Sequence, residues 1–108
     1  MEVITTYLRG LQDKVFALLP MREDYDRGVA NHMTDYAVNL SMSIAGVFEC
    51  YPDLGGSSEL IEVQGTVAFL GKHPEMDFRQ WRAAVLRSTR LIGNALERRA
   101  QGGELVEQ

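Results

Sequence analysis

A stretch without charged side chains constrains the fold of this chain more than any other feature. Residues 36–48 carry no charge, and several of their side chains are small, including those of Ser41, Ala45 and Gly46. Apolar residues recur across residues 25–51 in steps of three and four, which is the period of an α-helix. They are Val29, Met33, Tyr36, Leu40, Ile44, Val47 and Tyr51. Because a helix that is apolar on most sides must be covered on most sides, the pattern predicts a buried central helix in a small helical protein.

Apolar periodicity predicts a further helix before this central one. Residues 2–19 have one broad apolar face, and Pro20 is expected to end the helix because proline cannot continue the hydrogen-bond ladder. The central helix is then expected from about residue 26 to 51, with Asp24 or Asp26 as its N-cap. Residues 52–58, which contain a proline, two glycines and two serines, are expected to form a loop.

The second half of the chain contains one ambiguous segment and one well-patterned helix. Residues 60–70 suit a helix, but their β-branched and aromatic residues also suit a short hairpin hinged at Gly65. We expect helix, since a lone hairpin is marginal in a helical domain. The last helix is expected to begin at Pro74, which suits a first helical position, and to end near Ala100.

Two long helices and two shorter ones with brief connections predict an all-α fold, an antiparallel four-helix bundle. The length of 108 residues is enough for one hydrophobic core. We therefore expect a single helical domain over residues 1–101. Residues 102–108 are expected to form a flexible acidic C-terminal tail.

Composition favours a cytoplasmic protein. The single cysteine, Cys50, cannot form an intrachain disulfide, and its place at the end of an apolar helix suggests a small core residue. No signal peptide is expected, because Glu2 takes the place of a basic region and no cleavage site of small residues follows an apolar core. No uncharged run is long enough to span a membrane, so no membrane association is expected.

Charge is unevenly distributed along the chain, whose formal net charge is −4. Residues 1–70 carry ten acidic and four basic side chains, whereas residues 71–100 carry seven basic and three acidic ones. On a helical wheel five arginines of the last helix fall within one arc of roughly 160°, on a different face from the one that contains Phe78 and Trp81. These arginines are Arg79, Arg82, Arg87, Arg90 and Arg98.

The arginine arc has two interpretations. Arginine forms bidentate contacts with phosphates and carboxylates, so the arc is a candidate surface for an acidic protein partner, an anionic ligand or nucleic acid. The alternative is a solvated face whose arginines pair with acidic residues on neighbouring helices, or with Glu75 one turn before Arg79. The overall acidity of the chain argues against general coating of nucleic acid.

Small residues of the central helix form a second candidate surface. Ser41, Ala45 and Gly46 allow another helix to approach closely, and Trp81 is an aromatic anchor on the last helix. The approaching helix belongs either to the same bundle or to a second subunit. A helix this apolar in a chain this short favours a homo-oligomer.

No residue pattern indicates catalysis, a metal site or a cofactor. His32, Asp35 and Tyr36 lie within one helical turn of each other, but nothing else supplies the ligand spacing of a zinc site. Cys50 has no local signature of a nucleophile. We therefore expect no enzymatic activity, no metal and no cofactor.

The leading functional hypothesis is a small intracellular helical protein that binds a protein partner and self-associates. Adaptors, assembly subunits and inhibitors of this kind are common, including those that phages and mobile elements encode, although this comparison is one of general architecture. The first alternative is a nucleic-acid-binding accessory subunit that uses the arginine arc. The second is a protein that binds a small anion between its helices, near Tyr36, Trp81 and the arginines.

Overall fold

The computed structural model describes residues 3–29 and 31–107, with side chains as far as residue 101. These residues form six helical segments and no strand. The segments are α1 Val3–Phe16, α2 Leu18–Asp26, α3 Met33–Cys50, α4 Pro52–Gly55, α5 Ser58–Lys72 and α6 Phe78–Glu107. The all-α class is confirmed, and residues 60–70 are helical, so the hairpin alternative is wrong.

Pro20 does not end the first helical stretch as predicted. It lies in the first turn of α2, where backbone N–H groups have no partner within the helix. The N–H that proline lacks therefore costs no helical hydrogen bond. The proline ring would clash with the carbonyl of Phe16, four residues earlier, if the helix continued regularly. Phe16 is where α1 ends. The chain bends at Ala17 and continues to Asp26, so proline divides one stretch of helix into two.

The predicted long helix over residues 26–51 is also wrong at its start, because Gly28 ends α2. Gly28 has a φ of +78°, the left-handed conformation that glycine adopts without steric cost. Its N–H donates to Tyr25 O at 3.0 Å, and the N–H of Val29 donates to Asp24 O at 2.9 Å. These two bonds form a Schellman motif, so Asp24 lies within α2 instead of capping α3.

A polar side chain begins each of the two later helices. The Ser57 hydroxyl accepts a hydrogen bond from Leu60 N at 3.3 Å, which caps α5. The Asp77 carboxylate accepts one from Arg79 N at 3.1 Å, so α6 begins after Pro74 instead of at it. Pro74 lies in a preceding turn.

Two other boundaries differ from the sequence prediction. Pro52–Gly55, predicted as loop, forms the short helix α4 with proline at its first position. The backbone of α6 continues to Glu107 instead of ending near Ala100. The predicted tail, residues 102–108, lies outside the residues whose side chains are described, and its flexibility stays a prediction.

The core lies between the long helices: α3 packs on α5, α5 on α6 and α6 on α1. Trp81 is completely buried and is the largest side chain in the core. At one crossing of α1 and α6 the amide of Gln12 donates to Thr89 O at 2.9 Å. Each helix contributes residues from its apolar face to this core, including Leu8, Leu11, Val15, Leu40, Ile44, Val63, Val67, Val85 and Ile92.

Over the residues that the structure describes, none of the helices combines the length and the apolar character that crossing a membrane requires.

Candidate functional site

Two of the five arginines on the predicted arc pair with acidic residues of α5. The Arg87 guanidinium donates to both carboxylate oxygens of Glu62, at 2.5 and 3.2 Å. This hydrogen bond and the positive charge of Arg87 lower the pKa of Glu62, and the same contact raises the pKa of Arg87. One turn before, Glu59 accepts a hydrogen bond from Arg98. Both pairs join α5 to α6.

The other three arginines of the arc, Arg79, Arg82 and Arg90, are exposed and form no ion pair with any side chain that the structure describes. Glu75 is not paired with Arg79, because it precedes the start of α6. Its carboxylate lies 3.6 Å from the Nδ1 atom of His73 instead. From Arg79 to Arg90 the unpaired set spans about 16 Å of helix. Cationic side chains with unused donors can bind an anionic surface.

The predicted packing residues separate into a buried and an exposed set. Trp81 is completely buried and Ser41 is 5 % exposed, so both lie inside the chain. The Ser41 hydroxyl donates to Val38 O at 2.7 Å, within its own helix. Ala45 is half-buried, and Gly46 is exposed with no atom within 4 Å of where a Cβ would lie.

The close contact between α3 and α5 occurs at Gly71, which the sequence analysis did not select. A Cβ at Gly71 would lie 3.0 Å from Val38 Cγ2, 3.1 Å from Ala37 Cβ and 3.2 Å from Val38 N. Glycine at this position therefore lets the two helices approach closely. The sequence clue was a glycine at the end of an apolar periodic segment, which resembles an ordinary helix stop.

Exposed apolar side chains and exposed glycines occur on both α3 and α5, and we call this set of residues the α3–α5 face. It is defined by Met42 and Gly46 on α3 and by Ile61, Gly65 and Phe69 on α5. Met42 is 66 % exposed, and Ile61 and Phe69 are about half exposed. No charged residue occurs between Asp35 and Glu49 on α3, or between Glu62 and Lys72 on α5. The two helices thus expose apolar side chains with few charges around them.

A buried arginine on α2 is the polar group that the sequence analysis missed. Arg22 is 5 % exposed, and its Nε donates to Asp26 at 2.8 Å. Its other end donates to the carbonyl of Met76. The guanidinium lies over the ring of Trp81, and one nitrogen, Nη1, has no hydrogen-bond partner among the described atoms. The available clue was spacing, because Arg22 follows the buried Leu18 by one helical turn.

A cavity of about 180 Å³ lies where α1, α4, α5 and α6 meet. Core residues form the apolar part of the cavity lining, and the polar part of the lining includes Arg98, Arg99 and Ser57. Tyr36 and Trp81, which we expected near an anionic ligand, do not line it. The hydroxyl of Tyr36 donates to Lys14 O at 2.7 Å instead.

The residues considered for chemistry are not assembled into a site. His32 and Asp35 are exposed at the start of α3. Cys50 is exposed at the end of α3, so the prediction of a core cysteine is wrong. Within the described part of the chain, no three histidine, cysteine, aspartate or glutamate side chains are grouped so that they could hold a metal ion.

Comparison with known proteins gives no family for the chain. No family model matches it, no curated protein has a significantly similar sequence, and no solved structure has a significantly similar fold. Three features of the molecule bear on its function: the α3–α5 face, the unpaired arginines of α6 and the interhelical cavity.

Proposed function

We propose that this chain is a small non-catalytic interaction protein that self-associates and binds a protein partner through the α3–α5 face. The observation that carries the proposal is the exposure of Met42, Ile61 and Phe69 on two adjacent helices that have few charges. Removal of exposed apolar area from water is the main favourable contribution to most protein association. In a symmetric dimer the same surface patch of both subunits meets, so a face without charge avoids like-charge repulsion.

Two glycines of the same face support this proposal. Gly46 and Gly65 lie inside helices, where glycine costs about 1 kcal/mol relative to alanine. Apart from the chain neighbours and the local backbone of the same helix, no described atom lies within 4 Å of a Cβ placed at either position, so packing within the chain does not require glycine there. A second helix that approaches the face would require small residues, because backbones come close only where side chains are short.

We further propose that the monomer is an antiparallel four-helix bundle built from α1, α3, α5 and α6. The contacts of α3 with α5, α5 with α6, and α6 with α1 support this arrangement. In it α3 and α5 are neighbours, so their outer sides form one continuous surface.

The experiment that tests self-association compares Gly46→Leu and Gly65→Leu with Gly10→Leu. Gly10 also lies inside a helix with nothing within 4 Å, but on α1, away from the face. The mass in solution is measured by light scattering over a range of protein concentrations. We expect the wild type and Gly10→Leu to form an oligomer. Gly46→Leu and Gly65→Leu should associate at least about tenfold more weakly.

Two results would count against the proposal. One is a wild-type chain that stays monomeric at every concentration. The other is loss of association in Gly10→Leu as great as in Gly46→Leu, which would mean that helix perturbation, and not the face, is responsible. Circular dichroism of each variant separates loss of helix from loss of association.

A second candidate function, binding of nucleic acid as an accessory subunit, is favoured by the unpaired Arg79, Arg82 and Arg90. Affinity for duplex DNA would then fall by about 0.9 log units per log unit of salt for each phosphate contacted. Replacing these three arginines with glutamine should remove binding, whereas Arg87→Gln should have a smaller effect because Arg87 is already paired with Glu62. Equal losses in both variants would contradict a specific role for the unpaired set.

A further inference from the structure

The cavity between α1, α4, α5 and α6 has an apolar floor that belongs to the core. Leu8, Leu54 and Leu60 line it, and each of them is less than 5 % exposed. Its volume of about 180 Å³ is below the roughly 300–1,000 Å³ that is usual for sites of drug-sized ligands. A ligand that fills it is therefore small, and the part of the ligand that contacts the floor is apolar.

The rim of the cavity supplies hydrogen-bond donors and positive charge. Arg98 and Arg99 are consecutive on α6, and both line the cavity. Arg98 uses part of its guanidinium to bond Glu59, and an arginine has five N–H donors, so further donors remain. The Ser57 hydroxyl accepts a bond from Leu60 N, which leaves its own proton to be donated.

The backbone adds to the positive potential on the same side. Ser57 is the N-cap of α5, a helix of 15 residues whose N-terminus carries the positive end of the helix dipole. Two arginines and the serine at a helix N-terminus therefore line the same cavity as the apolar residues of the floor. Each of these groups stabilises an anionic oxygen.

The remaining charged residue of the rim narrows the class of anion. Asp53 also lines the cavity, and its carboxylate repels a second negative charge. Glu59, which is bonded to Arg98, is a second carboxylate beside the rim, so the two acids offset the charge of the two arginines. Because the cost of desolvating an ion rises with the square of its charge, such a rim compensates a singly charged carboxylate better than a doubly charged phosphate. The rim is thus better suited to a carboxylate, whose two oxygens match the donor geometry of a guanidinium.

We propose that this cavity is a binding site for a small carboxylate with a short apolar group. The carboxylate lies at the rim near Arg98, Arg99 and Ser57, and the apolar group contacts Leu54 and Leu60. This proposal is independent of the α3–α5 face, so the outcome of the test below does not decide the outcome of the self-association experiment.

The test uses 3-methylbutanoate as the probe and the uncharged 3-methylbutanamide, which has nearly the same shape, as its control. Binding to the wild-type chain is followed by methyl NMR spectra, in which the signals of Leu54, Leu60 and Ala95 report on the cavity. We expect saturable shifts of these signals with the carboxylate at concentrations up to about 10 mM, and at least about tenfold weaker binding of the amide. Inorganic phosphate is titrated in parallel.

Substitutions test which side chains contact the carboxylate. Arg98→Gln and Arg99→Gln should each weaken binding of the carboxylate about tenfold, the usual effect of losing a charged hydrogen bond. Glu59→Gln removes the same ion pair as Arg98→Gln but keeps the guanidinium, so it should bind the probe at least as well as the wild type. Arg90→Gln, away from the cavity on the same helix, should leave binding unchanged.

Four results would overturn the proposal. They are the absence of saturable shifts at the cavity, equal affinity for the amide and the carboxylate, tighter binding of phosphate than of the carboxylate, and a loss in Glu59→Gln equal to that in Arg98→Gln. The amide comparison and the phosphate titration use the wild-type chain, so they stay decisive even if a variant fails to fold.

Discussion

The guanidinium of Arg22 lies over the ring of Trp81, with its Cζ atom 5.1 Å from the ring centroid. This contact joins α2 to α6 inside the core. The same arginine bonds Asp26 on its own helix and the carbonyl of Met76 in the turn before α6. One buried cation therefore connects three segments of the chain, and its planar group is held between an aromatic face and two acceptors.

We expect Arg22→Lys to destabilise the fold by about 2 kcal/mol. A lysine ammonium is a point charge, so it cannot stack on Trp81 and bond two separated acceptors at the same time. Arg27→Lys is the matched control, because Arg27 is an exposed arginine that pairs with Asp24 at 3.0 Å. It should change the free energy of unfolding by less than about 0.5 kcal/mol. Urea unfolding measures the change in unfolding free energy for both variants. Equal changes would mean that the buried contacts of Arg22 contribute no more to stability than the exposed pair of Arg27.

Gly71→Ala should destabilise the chain by about 1–3 kcal/mol. The added Cβ would lie 3.2 Å from the backbone nitrogen of Val38, which cannot move without shifting α3. Gly65→Ala, on the same helix with open space around it, should instead stabilise the monomer by up to about 1 kcal/mol. Urea unfolding at the lowest practical protein concentration separates this effect from association. A stabilising Gly71→Ala would show that α3 and α5 lie further apart.

Two tyrosines allow a paired test of hydroxyl burial. The Tyr7 hydroxyl is buried without a partner among the described atoms, whereas that of Tyr36 donates to Lys14 O. Burial raises the pKa of both phenols. We expect Tyr7→Phe to be neutral or stabilising, since it removes an unpaired polar atom, and Tyr36→Phe to cost about 1 kcal/mol. Chemical unfolding near neutral pH measures both, and the reverse order would contradict these assignments.

The helical class and much of the core could be predicted from the sequence, because both follow from periodicity within one segment. Leu8, Leu11 and Val15 recur at helical spacing on α1, and Trp81 and Val85 do so on α6, and all five are buried. A side chain that repeats on one face of a helix must have a partner, whatever the neighbouring element is. This information is local, so one sequence is sufficient to supply it.

Boundaries were harder to predict, because they depend on single residues with two structural roles. Pro20 can end a helix or begin one, and here it begins α2. Gly28 lies in a segment whose apolar spacing continues past it, so the pattern favoured helix. Its left-handed backbone and the Schellman bonds ended α2 instead. Periodicity does not report backbone conformation.

Ion pairs between residues far apart in the sequence could not be predicted, for a different reason. Arg87 and Glu62 are 25 residues apart, and Arg98 and Glu59 are 39 apart. Their pairing requires the register between α5 and α6, which is set by the packing of both helices and not by either one. The sequence therefore predicted an arginine arc but could not divide it into paired and unpaired members. For the same reason the sequence did not predict that the guanidinium of Arg22 lies over the ring of Trp81.

The pair between Arg87 and Glu62 predicts a specific acid dependence of stability. The hydrogen bond from Arg87 lowers the pKa of Glu62, so the folded chain binds this proton less readily than the unfolded chain. Stability from the pair is then fully present above the ordinary carboxyl pKa, and it is lost as the pH falls through the lowered value. In Glu62→Gln this contribution is absent at every pH.

We therefore expect the difference in unfolding free energy between the wild type and Glu62→Gln to be largest near neutral pH and to shrink as the solution becomes acidic. High salt should reduce the same difference, because both side chains are exposed to solvent. Glu97→Gln is the control, since Glu97 is an exposed acid of α6 that forms no ion pair with a described side chain. Urea unfolding over a pH series measures both variants. A difference for Glu62→Gln that stays constant with pH would mean that the residue stabilises the fold by packing, without its charge.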